Sequence, residues 1–509
     1  MRYILLFFLM IATYSCKDDI AERPNIVFIM SDDHGYQAIS AYNGDLNSTP
    51  NLDRIADEGV IFRNSFVCNS ICAPSRAALL TGKHSHANGH LDNRHRFDSS
   101  QVTFPKLLQA AGYQTALIGK WHLQSQPTGF DYWNILPGQG VYYNPDFIEM
   151  GKRYREKGYA TTLITDMAIR WIRNRDKSKP FCIMVHHKAP HRNWLPDTLD
   201  FDLFDGTQFP VPDNYFDNYS GRLAASLQEM SIARDMRLSS DLKIIGADGD
   251  SVSQIEKDYI SSLRNRMSPQ EYKAWNREYD SISREFLANR PVGDSLALWK
   301  LNRYLVDYLR TIQSIDRNTG RLLDFIDSSG LRDNTLVVYT SDQGFYLGEH
   351  GWFDKRFMYE ESFRTPLMMR LPKGYGTTGA IDQMVQNIDF APTFLDMAGV
   401  EPPPEMQGIS ILPLLKGRKV RKWRDALYYH YYEYPGEHQV RRHYGIRTDR
   451  YKLIHFYGEI DQWELYDLAT DPHEMNNLID DPAYVAVIRK LKKRLDNLED
   501  QYAVPEDLR

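Results

Sequence analysis

Five runs of nearly uninterrupted apolar residues, at 25–30, 114–119, 180–185, 335–340 and 367–371, constrain this chain more than any other feature, because each stops abruptly at polar or acidic residues and stretches of helical period lie between them. Runs of that length without in/out alternation belong to strands buried on both faces, which is the condition of a parallel sheet covered by helices. Start and stop residues place helices at 50–59, 103–112, 161–173 and 299–329, Pro50 and Gly59 marking the two ends of the first. The expected fold is therefore α/β. Between Asn193 and about Val292 the chain is polar and weakly periodic, which predicts a surface insertion over the sheet. After a Pro-rich crossover at 402–415, aromatic alternating runs at 426–434 and 451–457 predict antiparallel strands, and 482–501 a closing helix. Those elements define a smaller C-terminal α+β domain over 416–509, after a main domain over 24–415.

The first sixteen residues, MRYILLFFLMIATYSC, combine a basic Arg2, an apolar run and small residues before Cys16. This is a secretory signal, far short of the ~20 residues that span a bilayer. Thr13-Tyr14-Ser15-Cys16 resembles a bacterial lipobox, with Thr13 where Leu is usual, and Lys17-Asp18-Asp19 resembles the charged tag of surface lipoproteins. The expectation is an exported chain, cleaved before Cys16, with residues 17–23 as linker, lipidated there and held in the periplasm or at the outer membrane by that anchor alone. A net charge of −6 gives no global basic field, so nucleic acid is not an expected partner. Setting Cys16 aside leaves Cys68, Cys72 and Cys182, an odd number that points to a thiol with a fate other than pairing.

Two strand ends share one pattern. Ser31-Asp32-Asp33-His34-Gly35 follows the first run, and Ser341-Asp342-Gln343-Gly344 follows the fourth. Brought side by side, Asp32, Asp33, Asp342 and the Gln343 amide oxygen are hard oxygen ligands suited to Ca²⁺ or Mg²⁺. Taken singly, either cluster also reads as a helix cap or a turn. Cys72 stands at or just before a helix N-terminus, since Pro74 suits a first turn and Ala77-Ala78-Leu79-Leu80 continues it. Free amides there favour an anion.

Cys72-Ala73-Pro74-Ser75-Arg76 followed by Leu80-Thr81-Gly82 resembles the signature of the formylglycine-dependent sulfatases. Gly119-Lys120-Trp121-His122, Ala189-Pro190-His191, and Asp342-Gln343-Gly344 through Gly348-Glu349-His350-Gly351 to Lys355 match that family in order and spacing, and the likeness extends over nearly all of the chain after the signal. The resemblance implies an alkaline phosphatase-like α/β domain with a smaller C-terminal sheet domain. It implies that a maturation enzyme oxidises Cys72 to formylglycine (3-oxoalanine), and that Asp32, Asp33, Asp342, Gln343 and the modified Cys72 hold one Ca²⁺, with Mg²⁺ as an alternative. The family often has Asn where Gln343 stands. Arg76 would orient the modified side chain, Lys120 and Lys355 would hold sulfate oxygens, and His122 and His191 would transfer protons. The hydrated aldehyde would attack sulfur, with His191 as the acid for the leaving alcohol and His122 as the base that restores the aldehyde.

The segment YHYYEYPGEHQVRRHYGIR, 429–447, gathers aromatic and basic residues, and His438, Arg441 and His443 are candidates to join Lys120, His191 and Lys355 in binding the substrate. Its plainer reading is a charged edge strand. Within the family, this segment and HKAPHRNW at 187–194 look most like the N-acetylglucosamine-6-sulfatase-like enzymes of Bacteroidetes that act on heparin and heparan sulfate. That implies exo-acting 6-O-desulfation of N-acetyl- or N-sulfoglucosamine in sulfated oligosaccharides. The alternatives are a sulfatase of other sugar specificity, a phosphodiesterase or phosphonate hydrolase of the same superfamily, and a non-catalytic glycan-binding lipoprotein. His84, His86 and His90 are expected in loop or pocket-lining roles, and His34 and His350 carry no assignment.

Overall fold

The computed structural model describes residues 23–508 except 43, 245, 247–257, 259 and 260. The signal, Cys16 and all but the last residue of the linker lie outside the described residues. The centre is a ten-stranded sheet in the order 379–381, 60–62, 367–370, 335–341, 25–31, 181–186, 114–120, 132–136, 146–149, 152–155. Five neighbouring strands, Thr335–Ser341, Asn25–Ser31, Phe181–His186, Gln114–Lys120 and Tyr132–Leu136, run parallel. The expectation of a parallel sheet holds for this middle and is corrected at its flanks. Leu367–Arg370 runs antiparallel to Thr335–Ser341, because the segment joining them holds only a 3-10 turn at Glu349–Gly351 and a four-residue helix at Glu360–Phe363 instead of a crossover helix. An apolar run reads the same in either direction; only its connection fixes the sense.

Alternate side chains of the central strands feed two separate cores. Val27, Ile29, Ile183 and Val185 pack with the long helices Ala160–Asn174 and Gly293–Ser328, while Ile26, Phe28, Met30 and Met184 pack with Phe104, Phe390 and Phe394 on the other face. Fully burying each such side chain stabilises the fold by roughly 1.5–3 kcal/mol. The segment expected to lie over the surface is more ordered than its sequence suggests. It contains a 21-residue helix, Pro269–Asn289, opened by a Ser268/Glu271 capping box, and it buries Trp194, Tyr215, Trp275 and Tyr279. The helix expected from 299 begins at Gly293.

A second sheet of four antiparallel strands, Ala426–Tyr431, His443–Thr448, Tyr451–Phe456 and Gln462–Asp467, has two strands beyond those expected. The helix Val485–Gln501 covers one face through Leu491 and Leu495. The other face packs on Trp352, Phe357, Tyr359 and Phe363, which follow the Thr335–Ser341 strand in the chain. That contact sets loops of the second sheet beside the strand ends of the first. Among the described residues no helix is long and apolar enough to cross a membrane.

Candidate active site

The site forms at the carboxyl ends of the central parallel strands, where open α/β sheets place ligands. Ser31 and Ser341 are paired across adjacent strands, so the residues after them leave the sheet together. Asp32, Asp33 and Asp342 result, fully buried, with one carboxylate oxygen of each within 4.8 Å of the others. The Asp33 backbone, at φ 68°, turns its amide to Asp342 Oδ1 at 3.2 Å. Gln343 donates from Nε2 to Asp33, while its Oε1 is buried without a partner.

Cys72 is the first residue of the helix Cys72–Thr81, which Gly82 ends in the left-handed region at φ 65°. All ten residues of this helix are buried. Its second residue, Ala73, donates its amide to Asn93 Oδ1 at 3.1 Å. The Cys72 thiol lies 3.4 Å from Asp32 Oδ1 and 3.8 Å from Gln343 Nε2. Burial, and then the Asp32 charge, push its pKa up, so at neutral pH an unmodified Cys72 is a protonated thiol and a poor nucleophile. Four residues on, and so on the same helix face, Arg76 donates to Asp342 Oδ2 from Nε at 3.1 Å and Nη2 at 2.8 Å. Its Nη1 reaches the Lys120 carbonyl at 2.9 Å and ties a third strand end to the cluster.

Lys120 pairs with Asp32, and Lys355 pairs with Asp33 at 2.6 and 2.7 Å. Lys120 stands there because Gly119, at φ 108°, lets the strand press on its neighbour; a Cβ on Gly119 would meet the His186 carbonyl oxygen at 1.9 Å. Three buried carboxylates so close are in electrostatic conflict. Burial raises Asp33 to about 6 and Asp342 to about 7, with the Asp32 charge adding to both. Burial opposes the charge on Asp32 too, yet Lys120, His191 and Arg76 hold its carboxyl well below the usual range. Oxygen-only donors, an orphaned Gln343 Oε1 and this crowding suit a divalent cation.

His191 donates from Nδ1 to the Arg192 carbonyl at 2.7 Å, which leaves Nε2 facing Asp33 Oδ2 at 3.8 Å. Burial, with the Lys120, Lys188 and Lys355 charges, depresses its pKa despite Asp32. The neutral imidazole is favoured, and negative charge arriving beside Nε2 would raise its pKa. His122, at φ 58°, has a buried, unpartnered Nδ1. Burial and the Lys120 charge lower its pKa.

A cavity of about 360 Å³ reaches Cys72, with Lys355, His191, Asn93, Arg94 and Glu433 in its wall. An outer cavity of about 680 Å³ shares Gln139, His191, Arg192, Gly436 and Glu437 with it and contains His438. Lys120 sits on Asp32 in the cluster, and the other two expected substrate residues, His443 and Arg441, lie elsewhere. His443 is fully buried among Phe357, Tyr429 and Phe456, its Nδ1 on the Arg441 carbonyl at 2.8 Å and its Nε2 accepting from the Met358 amide at 3.1 Å. Both ring nitrogens are spent on backbone, so it is a packing residue. Arg441 stacks on Tyr434 at 4.6 Å and lines neither cavity. His84 and His86 face Tyr428 and Tyr502, and His90 packs on Phe97. His34 hydrogen-bonds Tyr339 at 2.6 Å, and His350 pairs with Asp217 at 2.8 Å. Asn93, Arg94, Arg192, Glu433 and Glu437 were not singled out from sequence; for Glu433, Glu437 and Arg192 the signal lay in segments already marked, YEYPGEH and HRNW.

Comparison with known proteins bears on this arrangement directly: the sulfatase family model matches residues 24–400. The chain belongs to the sulfatase family. It is thereby an enzyme that hydrolyses sulfate esters, from a family that generally uses formylglycine and a divalent metal. A second model, N-sulphoglucosamine sulphohydrolase, C-terminal, matches residues 348–501. The sulfatase is 51% identical to an N-acetylglucosamine-6-O-sulfatase of Bacteroides thetaiotaomicron, over 94% of this chain and 87% of the relative. A solved structure of a protein in complex with its substrate D-glucosamine-2-N,6-O-disulfate superposes with a TM-score of 0.91 at 50% identity, covering 95% of this chain and 99% of that one. The phosphonate monoester hydrolase of Agrobacterium radiobacter, at 20% identity and TM-score 0.69 over 94% of this chain and 96% of that one, shares the fold.

Proposed function

We propose that this sulfatase removes the 6-O-sulfate from N-acetylglucosamine or N-sulfoglucosamine at the end of heparin or heparan sulfate oligosaccharides. The observation that carries this reading is the 51% identity, over 94% of the chain, with a relative named for that activity. The catalytic group is a formylglycine made from Cys72 by a maturation enzyme, and Asp32, Asp33, Asp342 and Gln343 with the modified residue hold one Ca²⁺. When bound, these groups supply a hydrated aldehyde oxygen as nucleophile and a positive charge that favours its deprotonation.

The rest of the work falls to side chains of the chain itself. Lys120 and Lys355 pair here with Asp32 and Asp33; were those carboxylates to hold a cation, both ammonium groups would be available to sulfate oxygens. Arg76 fixes Asp342 and so the mouth of the cluster. His191 projects Nε2 into the cavity that reaches Cys72, and the arriving sulfate charge raises its pKa so that it protonates the leaving sugar oxygen. His122, kept neutral by burial and Lys120, is the base of the second half-reaction. Residues 1–16 act as export signal and Cys16 as lipid anchor, placing the enzyme in the periplasm or at the outer membrane.

The test is a panel of defined sulfated saccharides and phosphate esters with release of inorganic sulfate or phosphate as readout. Turnover of glucosamine 6-O-sulfates, with 2-O-sulfated uronic acids, galactose 6-sulfate and phosphate esters inert or far slower, is the expected result. Preference for any of the latter overturns the assignment.

A further inference from the structure

Arg192 stands at the neck between the two cavities and lines both. Its Nε and Nη2 are spent on Asp241 Oδ1 and Oδ2 at 2.7 and 2.8 Å, a bidentate pair, and its guanidinium lies over Phe353 at 5.0 Å. Asp241 is fully buried and also accepts from Asn193 Nδ2 at 2.8 Å and the Arg237 amide at 2.9 Å. The guanidinium is thus locked in one orientation before anything binds. Among the described residues its Nη1 has two long contacts, His438 Nε2 at 3.4 Å and Glu437 Oε1 at 3.7 Å. Glu437 is loosely held: its side chain is 65% exposed and it sits in the wall of both cavities. Of the other arginines of the inner cavity, Arg356 is committed to Asp354, Tyr431 and Glu433, and Arg94, its side chain 60% exposed, holds Asp92 through Nε and Nη2 and the Pro435 carbonyl through Nη1 at 3.3 Å.

We propose that Arg192 binds a second anionic group of the substrate, about one sugar ring from the scissile 6-O-sulfate, and that this group displaces Glu437 from Arg192 Nη1. The assignment rests on the 6-O reading above. It makes Arg192 a specificity-determining residue, Asp241 its positioning residue, and Glu437 a competitor that screens the site until an anion arrives. In glucosaminoglycan chemistry the anion is either the N-sulfonate of the same sugar or the carboxylate of the adjoining uronic acid. Both are compact oxygen acceptors that fit a guanidinium edge.

The experiment measures kcat and KM for three 6-O-sulfated substrates: N-sulfoglucosamine, N-acetylglucosamine, and N-acetylglucosamine linked to a reducing-side uronic acid. Arg192→Gln should raise KM about tenfold or more for one or both substrates carrying the second anion, with kcat and the N-acetyl monosaccharide within about twofold of the unaltered enzyme. Glu437→Gln should move the same substrates the opposite way, lowering KM by removing the competing carboxylate. Whichever arm responds identifies the source of the anion. Equal losses on all three substrates, or a loss in kcat alone, would overturn the assignment, since either is what a disturbed His191 would give. Should Arg192→Gln fail to fold, Arg192→Lys and Glu437→Gln decide by the same split. Sulfate release from none of the three by the unaltered enzyme would instead sink the 6-O reading, and this assignment with it.

Discussion

His191 offers the sharpest test at the level of single residues, because a general acid matters in proportion to how poor the leaving group is. His191→Asn should cost about 10²–10⁴ in kcat on a sugar 6-sulfate, and much less on an aryl sulfate whose phenolate leaves without a proton. Equal losses on both substrates would assign His191 to binding. Cys72→Ala is expected to abolish turnover while leaving the thermal transition near that of the unaltered protein, because the side chain removed is small. Lys120 and Lys355 were marked only through the family resemblance, whereas the acidic cluster and Cys72 were legible in the sequence because each stands in a contiguous motif at a strand or helix end. Arg192 was not, since its meaning lies in which of its nitrogens Asp241, 49 positions away, has already taken. His443 misled for a related reason. On a strand, side chains alternate between faces, and composition alone does not say that His443 points into the aromatic core with Tyr429 and Phe456.

The elements carrying the site are held by close backbone contacts that the sequence marks only with glycine. Gly119→Ala places a methyl group 1.9 Å from the His186 carbonyl oxygen in a backbone conformation that L-residues rarely adopt. The strand end must shift, and with it Lys120. We expect kcat on the sugar substrate to fall at least about tenfold with a lowered Tm, the destabilisation being on the order of 1–3 kcal/mol; an unchanged kcat would show that Lys120 tolerates the displacement. The central strands were readable because burial on both faces imposes unbroken apolar runs. Direction at the flanks was not, because the turn-rich segment between Thr335–Ser341 and Leu367–Arg370 carries no periodic signal to reveal the missing crossover helix. The 193–292 segment read as a surface insertion because its buried residues are spaced irregularly. In the fold it delivers Asp241 to the cavity neck and covers the long helix with Pro269–Asn289.

Across the whole molecule, the second sheet packs on the segment after Thr335–Ser341 over buried ionisable groups, which makes stability depend on pH. Glu464, on the last strand of the second sheet, accepts hydrogen bonds from Tyr359 at 2.8 Å and Tyr466 at 2.7 Å, with its Oε1 buried and unpartnered. Burial raises its pKa from 4.5 to about 7. The folded state therefore keeps a proton that the unfolded chain releases above its ordinary carboxylate range. The contribution is fully present below about pH 4.5 and is lost as pH rises to about 7, on the order of 3 kcal/mol in all. Glu464→Gln should flatten the fall of Tm between pH 5 and pH 8, and an unaltered slope would assign the pH dependence to other groups. That contact was not visible in the sequence, because it joins Tyr359, just before the short helix Glu360–Phe363, to the unexpected strand Gln462–Asp467 more than a hundred residues on, through side chains that each read as ordinary.

The claim on which the enzymology depends is that the residue at position 72 works as an aldehyde and not as a thiol. Peptide mass spectrometry across Cys72, on enzyme whose turnover of N-acetylglucosamine 6-sulfate has just been measured, tests it most directly. The mass of formylglycine, with specific activity rising in step with the fraction converted among preparations, is the predicted result. Full activity from protein carrying only the intact cysteine would contradict it.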